Sequence, residues 1–82
     1  MRDELTKLKN IGETTADWLM NIGIERPEQI EELGAIVVYL RLKEKYPVTR
    51  NALWALQGAI LNISYTQISD DMKQALLAKL DE

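Results

Sequence analysis

Gly12, Thr14 and Thr15 are the residues of this chain best suited by type and spacing to hold a ligand. A glycine followed by the first turn of a helix leaves backbone N–H groups without intrahelical partners, and such a turn can hold a phosphate. The donors would be the amides of Gly12, Glu13, Thr14 and Thr15, with the two threonine hydroxyls assisting. Glu13 works against this, because it puts a carboxylate at the mouth of the turn. A second set is cationic. Arg41, Lys43, Lys45 and Arg50 against Glu44 give a local balance of +3 inside a chain whose net charge is −3. Such a run suits DNA or an acidic protein surface, and it equally describes the wet face of a helix. Lys7 and Lys9 join that patch only if the fold brings them near.

Other chemistries are poorly supplied. The chain has no histidine and no cysteine. That removes the commonest general base, the commonest metal ligand, thiolate metal sites and disulfides. Carboxylates remain, at Glu28, Glu31 and Glu32 and at Asp70 and Asp71. The first group has the spacing of a solvated helix face and the second opens a helix. A hydrolase built on Glu31 and Asp71 is therefore the weakest reading, and the expectation is a non-enzyme with no cofactor and no metal. A hydrophobic fraction of 46% and a charged fraction of 28% are ordinary for a globular domain. No apolar run approaches the roughly 20 residues that span a bilayer. The first ten residues, MRDELTKLKN, lack the apolar segment of a signal peptide. The expected location is cytoplasmic.

The elements that must position these groups are helices. Asp3 is expected to cap a short first helix that turns Leu5 and Leu8 inward. Asn10-Ile11-Gly12 then turns the chain, both Asn10 and Gly12 tolerating positive φ. A second helix follows over 13–22 with Ala16, Leu19 and Met20 inward, flanked by Trp18 and Ile22, and Gly23 stops it at a left-handed cap. The stretch LKNIGETTADWLMNIGI thus resembles the second half of a helix-hairpin-helix, a module that often grips a nucleic-acid backbone. Its first glycine is replaced by Asn10. Pro27 opens a third helix to Leu33, with Ile30 and Leu33 inward, and Gly34 ends it.

Ala35 to Tyr46 has local strand propensity in Ile36-Val37-Val38-Tyr39. The recurrence of Ile36, Tyr39 and Leu40, with Val38 and Leu42, favours a helix. Thr49 is placed to cap a fifth helix over 50–62, apolar nearly all round and therefore a buried hub. Gly58 there costs about 1 kcal/mol in helix propensity, so a close approach is expected at that point. Ser69 caps the last helix, with Met72, Ala75, Leu76 and Leu80 inward. Trp18 and Trp54 belong to the core rather than to a base-stacking platform, and Val37 and Tyr39 are the candidates for apolar residues left outside, available to a protein contact. The expected fold is all-α, a compact single-domain bundle of five to six short helices over 1–82 with its core at about 5–80. Trp18, Gly23, Gly34, Trp54 and Gly58 are its structural residues.

The ordered set Asn10-Ile11-Gly12, Ala16 with Trp18-Leu19, Gly23-Ile24, Leu33-Gly34-Ala35, Tyr39-Leu40-Arg41-Leu42-Lys43 and Leu53-Trp54-Ala55-Leu56 with Gly58-Ala59 resembles the C-terminal domain of the TfoX/Sxy family of competence regulators. The resemblance implies a helical domain with a helix-hairpin-helix-like element, no enzymatic activity, and a part in bacterial transcriptional control of DNA uptake through protein–protein contacts. The alternative it leaves is a weak, sequence-independent DNA-binding domain. The N-terminal domain of that family has no counterpart in this chain, so a separate protein carrying it is one candidate partner. A second copy of the chain is another. At position 37 the resemblance implies a charged residue, where this chain has Val.

Overall fold

The sequence pattern places glycine, proline or asparagine at nearly every boundary, and the helices begin and end accordingly. The structure, a computed structural model, describes residues 2–80. Its order is α1 (Arg2–Thr6), α2 (Glu13–Asn21), α3 (Pro27–Leu33), α4 (Ala35–Lys45), α5 (Arg50–Leu61), a single 3-10 turn (Tyr65–Gln67) and α6 (Asp70–Leu80). No strand occurs among the described residues, so helical periodicity overrides the strand propensity of Ile36 to Tyr39. The 3-10 turn was not expected from the sequence.

Two helices stop by the same device. At the end of α2 the amide of Ile24 donates to Leu19 O (2.9 Å) and that of Gly23 to Met20 O (3.0 Å), with Gly23 at φ +89°. At the end of α5 the amide of Ile63 donates to Gly58 O (2.9 Å) and that of Asn62 to Ala59 O (3.3 Å), with Asn62 at φ +61°. Both are Schellman closures, glycine serving in one and asparagine in the other. Ile24 and Leu19 are also buried together in the core, which is the apolar contact that accompanies the motif.

The connection into α3 is held by Gln29. Its Oε1 accepts from the amides of Glu25 (2.7 Å) and Arg26 (2.9 Å), and its Nε2 donates to Gly23 O (3.3 Å). At the other end, Gly34 at φ +86°, ψ 156° passes the chain into α4 through a conformation open to glycine almost alone. Ser69 Oγ accepts from the Met72 amide (3.1 Å), as its capping role requires. Thr49 has the backbone of a cap but its side chain makes no capping bond. Asp3 lies inside α1 rather than before it.

One core is shared by all six helices. Leu5, Leu19, Leu42, Leu53 and Leu56 are fully enclosed, each contributing roughly 1.5–3 kcal/mol relative to an exposed side chain. The hub role of α5 holds: it packs on α3, α4 and the 3-10 turn, and only Arg50, Asn51 and Leu61 of its residues are exposed. Trp54 is buried and Trp18 half-buried. On α6 the inward set differs from expectation at one place. Ala75 is exposed, while Leu77 packs on the core with Met72, Leu76 and Leu80.

Candidate functional site

The loop between α1 and α2 is tied inward by one side chain. Asn10, at φ +72°, donates through Nδ2 to Ile63 O (3.0 Å) and Ala55 O (3.3 Å), and its Oδ1 accepts from the Tyr65 amide (3.0 Å). The residue standing where a nucleic-acid hairpin has its first glycine thus braces the far end of α5. Gly58 makes room for it. A Cβ at Gly58 would stand 2.5 Å from Asn10 Nδ2 and 2.7 Å from Ile63 O, which is the close approach expected of that glycine.

Gly12 is less constrained. It caps α2 at φ −91°, and a Cβ there would meet nothing within 4 Å. Its tolerance of positive φ is unused, because Asn10 takes the left-handed position. Gly12, Glu13 and Thr14 are exposed and Thr15 half-buried. The first turn of α2 is therefore open to solvent, as a phosphate site requires, and Glu13 brings its carboxylate into the same turn. Glu31, Asp70 and Asp71 are likewise exposed.

The four cations do not form one patch. Arg41 and Lys45, about 40° apart around α4, line an open depression of about 370 Å³ together with Glu44 and with Asn21 and Ile22 from the end of α2. Lys43 lies roughly 160° around the helix from Arg41, its ammonium 6.0 Å from the centre of the Tyr39 ring. Arg50 is exposed at the start of α5 and is not part of the depression. Beside that depression the Trp18 and Tyr46 rings stack at 4.5 Å and 7°, and Asn21 Nδ2 donates to the Tyr46 hydroxyl at 3.0 Å. This pair fastens α2 to the exit of α4. The structure accordingly places Trp18 on a helix junction, with no base-stacking surface implied.

Of the two apolar residues expected outside, one is. Val37 is 38% exposed, but Tyr39 is only 4% exposed. The physical reason is the angle of the core stripe, which runs through Ala35, Val38, Tyr39 and Leu42. The second large aliphatic residue outside is Leu40, 44% exposed. Val37, Leu40, Arg41, Glu44 and Lys45 fall at i, i+3, i+4, i+7 and i+8, so they share the solvent face of α4. Leu40 was legible only as the residue three after an exposed Val37.

The model of the TfoX C-terminal domain matches residues 1–80. The chain belongs to the TfoX C-terminal domain family. That is a family of regulatory type. A crystal structure of an uncharacterized protein from Listeria monocytogenes is similar to this TfoX C-terminal domain, with a TM-score of 0.82 and 28% identity over 89% of this chain and 84% of that one. No curated relative matches the sequence. The family membership accounts for the all-helical fold and for the ordered motifs from Asn10 to Ala59. Among the described residues no helix is long and apolar enough to cross a membrane.

Proposed function

We propose that this TfoX C-terminal domain is a non-enzymatic regulatory or adaptor module. It works in the bacterial cytoplasm, in transcriptional control of competence, by binding another protein. The observation that carries this reading is the solvent face of α4. Two large aliphatic side chains are exposed there beside Arg41 and Lys45, and apolar groups in water next to polar ones are the ordinary make-up of a contact surface. The inward-turned Asn10 and the carboxylate of Glu13 both speak against the hairpin as a phosphate grip.

The second reading is weak, sequence-independent DNA binding through the α2 amides with Thr14, Thr15, Arg41, Lys43, Lys45 and Arg50. Its support is the solvent-open first turn of α2 and the exposure of Thr14 and of all four cations. Fluorescence anisotropy of a labelled duplex, at low and at physiological salt, separates the two. The protein-contact reading expects no binding at physiological salt. Binding that weakens steeply as salt rises, as counterion release demands, and that is lost in Lys43→Glu, would replace it with the DNA reading.

A further inference from the structure

We infer that the solvent face of α4 is a docking site for a short amphipathic helix whose apolar stripe is bordered by glutamate or aspartate. This inference rests on the protein-contact reading and names the chemistry of the partner. Val37 and Leu40 form the apolar centre, one turn apart, on the face whose C-terminal half carries Arg41 and Lys45. Lys43 stands on the opposite flank of the same helix, so cations border the exposed apolar stripe on both sides. Glu44, one turn beyond Leu40, is the carboxylate that lines the depression with Arg41 and Lys45. In a chain of net charge −3, this puts a locally cationic surface on an acidic protein.

The complement of an apolar strip edged by cations is an apolar strip edged by carboxylates. Charge of this kind steers encounter and fixes orientation more than it adds affinity. The depression at Asn21, Arg41 and Lys45 gives the carboxylate a place to sit, because a guanidinium, an ammonium and a carboxamide line the opening against the one carboxylate of Glu44. An apolar side chain of the partner then lies over Val37 and Leu40 in the manner of helix-in-groove recognition.

A second copy of this chain fits the surface less well. Two half-exposed aliphatic residues fall far short of the ~800 Å² that each partner of a stable interface buries. Two copies meeting on this face would also bring two cation-bordered stripes together. A single helix of opposite charge avoids the second difficulty, and a weak, transient contact does not need the area that a stable dimer does.

The test is an amide-resolved NMR titration of the isotope-labelled full chain. The probe is a synthetic 14-residue amphipathic helix with leucines at i, i+3, i+4 and i+7 and glutamates on both borders. A matched peptide carries lysine at every glutamate. The expected result is saturable shifts confined to α4 and to Asn21 with the glutamate peptide and none with the lysine peptide. The double variant Arg41→Glu/Lys45→Glu weakens the glutamate peptide roughly tenfold, two surface charge pairs being worth a few-fold each, and gains affinity for the lysine peptide. Both substituted residues are exposed, and an unchanged circular dichroism melt shows that the fold is kept.

Equal binding of the two peptides, or no shifts from either, overturns the inference. So does a dependence of the same shifts on the concentration of the chain alone, which would make a second copy the occupant. Replacing Leu40 by a photo-crosslinking phenylalanine in living bacteria keeps the two levels apart. If the glutamate peptide fails but Leu40 crosslinks to protein, the acidic-helix inference falls and the protein-contact reading stands. If only a DNA duplex perturbs these amides and no protein is crosslinked, both fall.

Discussion

The loop at residues 10–12 and the outer face of α4 both carry residues suited to binding, and the molecule uses them in opposite ways. In the loop, the side chain of Asn10 is fully engaged with Ala55, Ile63 and Tyr65, partners 45 to 55 residues away. On α4, Val37 and Leu40 are held out in water by the same helix that buries Val38, Tyr39 and Leu42. A backbone pattern like a nucleic-acid hairpin can therefore act as an internal brace. The capacity for contact lies instead on a helix with more apolar residues than one face can hide. What separates the two is where each side chain's partners are.

The contrast is sharpest at Gly58, where the brace has no slack. Gly58→Ala is expected to destabilise the chain by about 3 kcal/mol, since the new Cβ must displace both Asn10 and the Ile63 carbonyl. Urea denaturation followed by tryptophan fluorescence measures this, and a neutral Gly58→Ala would mean that the loop can move away freely. Asn10→Ala should cost about 2 kcal/mol, because the carbonyls of Ala55 and Ile63 and the Tyr65 amide lose their partner and the left-handed backbone loses a tolerant residue. In the double variant the two costs should fall short of adding, as expected for residues in direct contact.

Gly34→Ala tests backbone geometry alone. It should lower stability by about 1–2 kcal/mol, since its cost is conformational and not steric. A thermal melt is enough to see it, at about 4–8 °C per kcal/mol for a domain of this size. At the bottom of the scale, Gly12→Ala should cost about 0.5–1 kcal/mol, alanine being a poorer N-cap than glycine, and Leu40→Ser no more than about 0.5 kcal/mol. Gly12 has open space and ordinary dihedrals, and Leu40 is 44% exposed. If Gly12→Ala proved as costly as Asn10→Ala, the loop would be braced along its whole length, and the contrast drawn between its two ends would fail.

Much of the fold was legible because local rules act locally. Pro27 and Gly34 bound α3, Ser69 opens α6, and the period of apolar residues sets α2 and α5 within one residue of their observed ends. What was not legible depended on partners distant in sequence or on a rotation. The reach of Asn10 across more than forty residues leaves no local mark, since turn formation alone explains an asparagine before Ile11-Gly12. The outward placement expected of Tyr39 is an error of angle. Ile36 to Leu40 offers apolar residues at nearly every position, so the pattern allows several inner faces and tertiary contacts choose one. For the candidate site, Val37 was read from the resemblance, which implies a charged residue there, whereas the pairing of Arg41 and Lys45 with Asn21 needed the crossing of α2 and α4.

The bonds of Asn10 also set an order of events during synthesis. Its farthest partner is 55 residues downstream, in the turn after α5. At a synthesis rate of about 5–20 residues per second, the growing chain must wait roughly 3–11 s before that amide exists. Through this interval α1 and α2 can form their own turns, but the loop between them lacks its bond to the Tyr65 amide. The N-terminal hairpin is among the first parts made and among the last secured, and a nascent chain arrested before Tyr65 would present that hairpin to any chaperone at the ribosome exit.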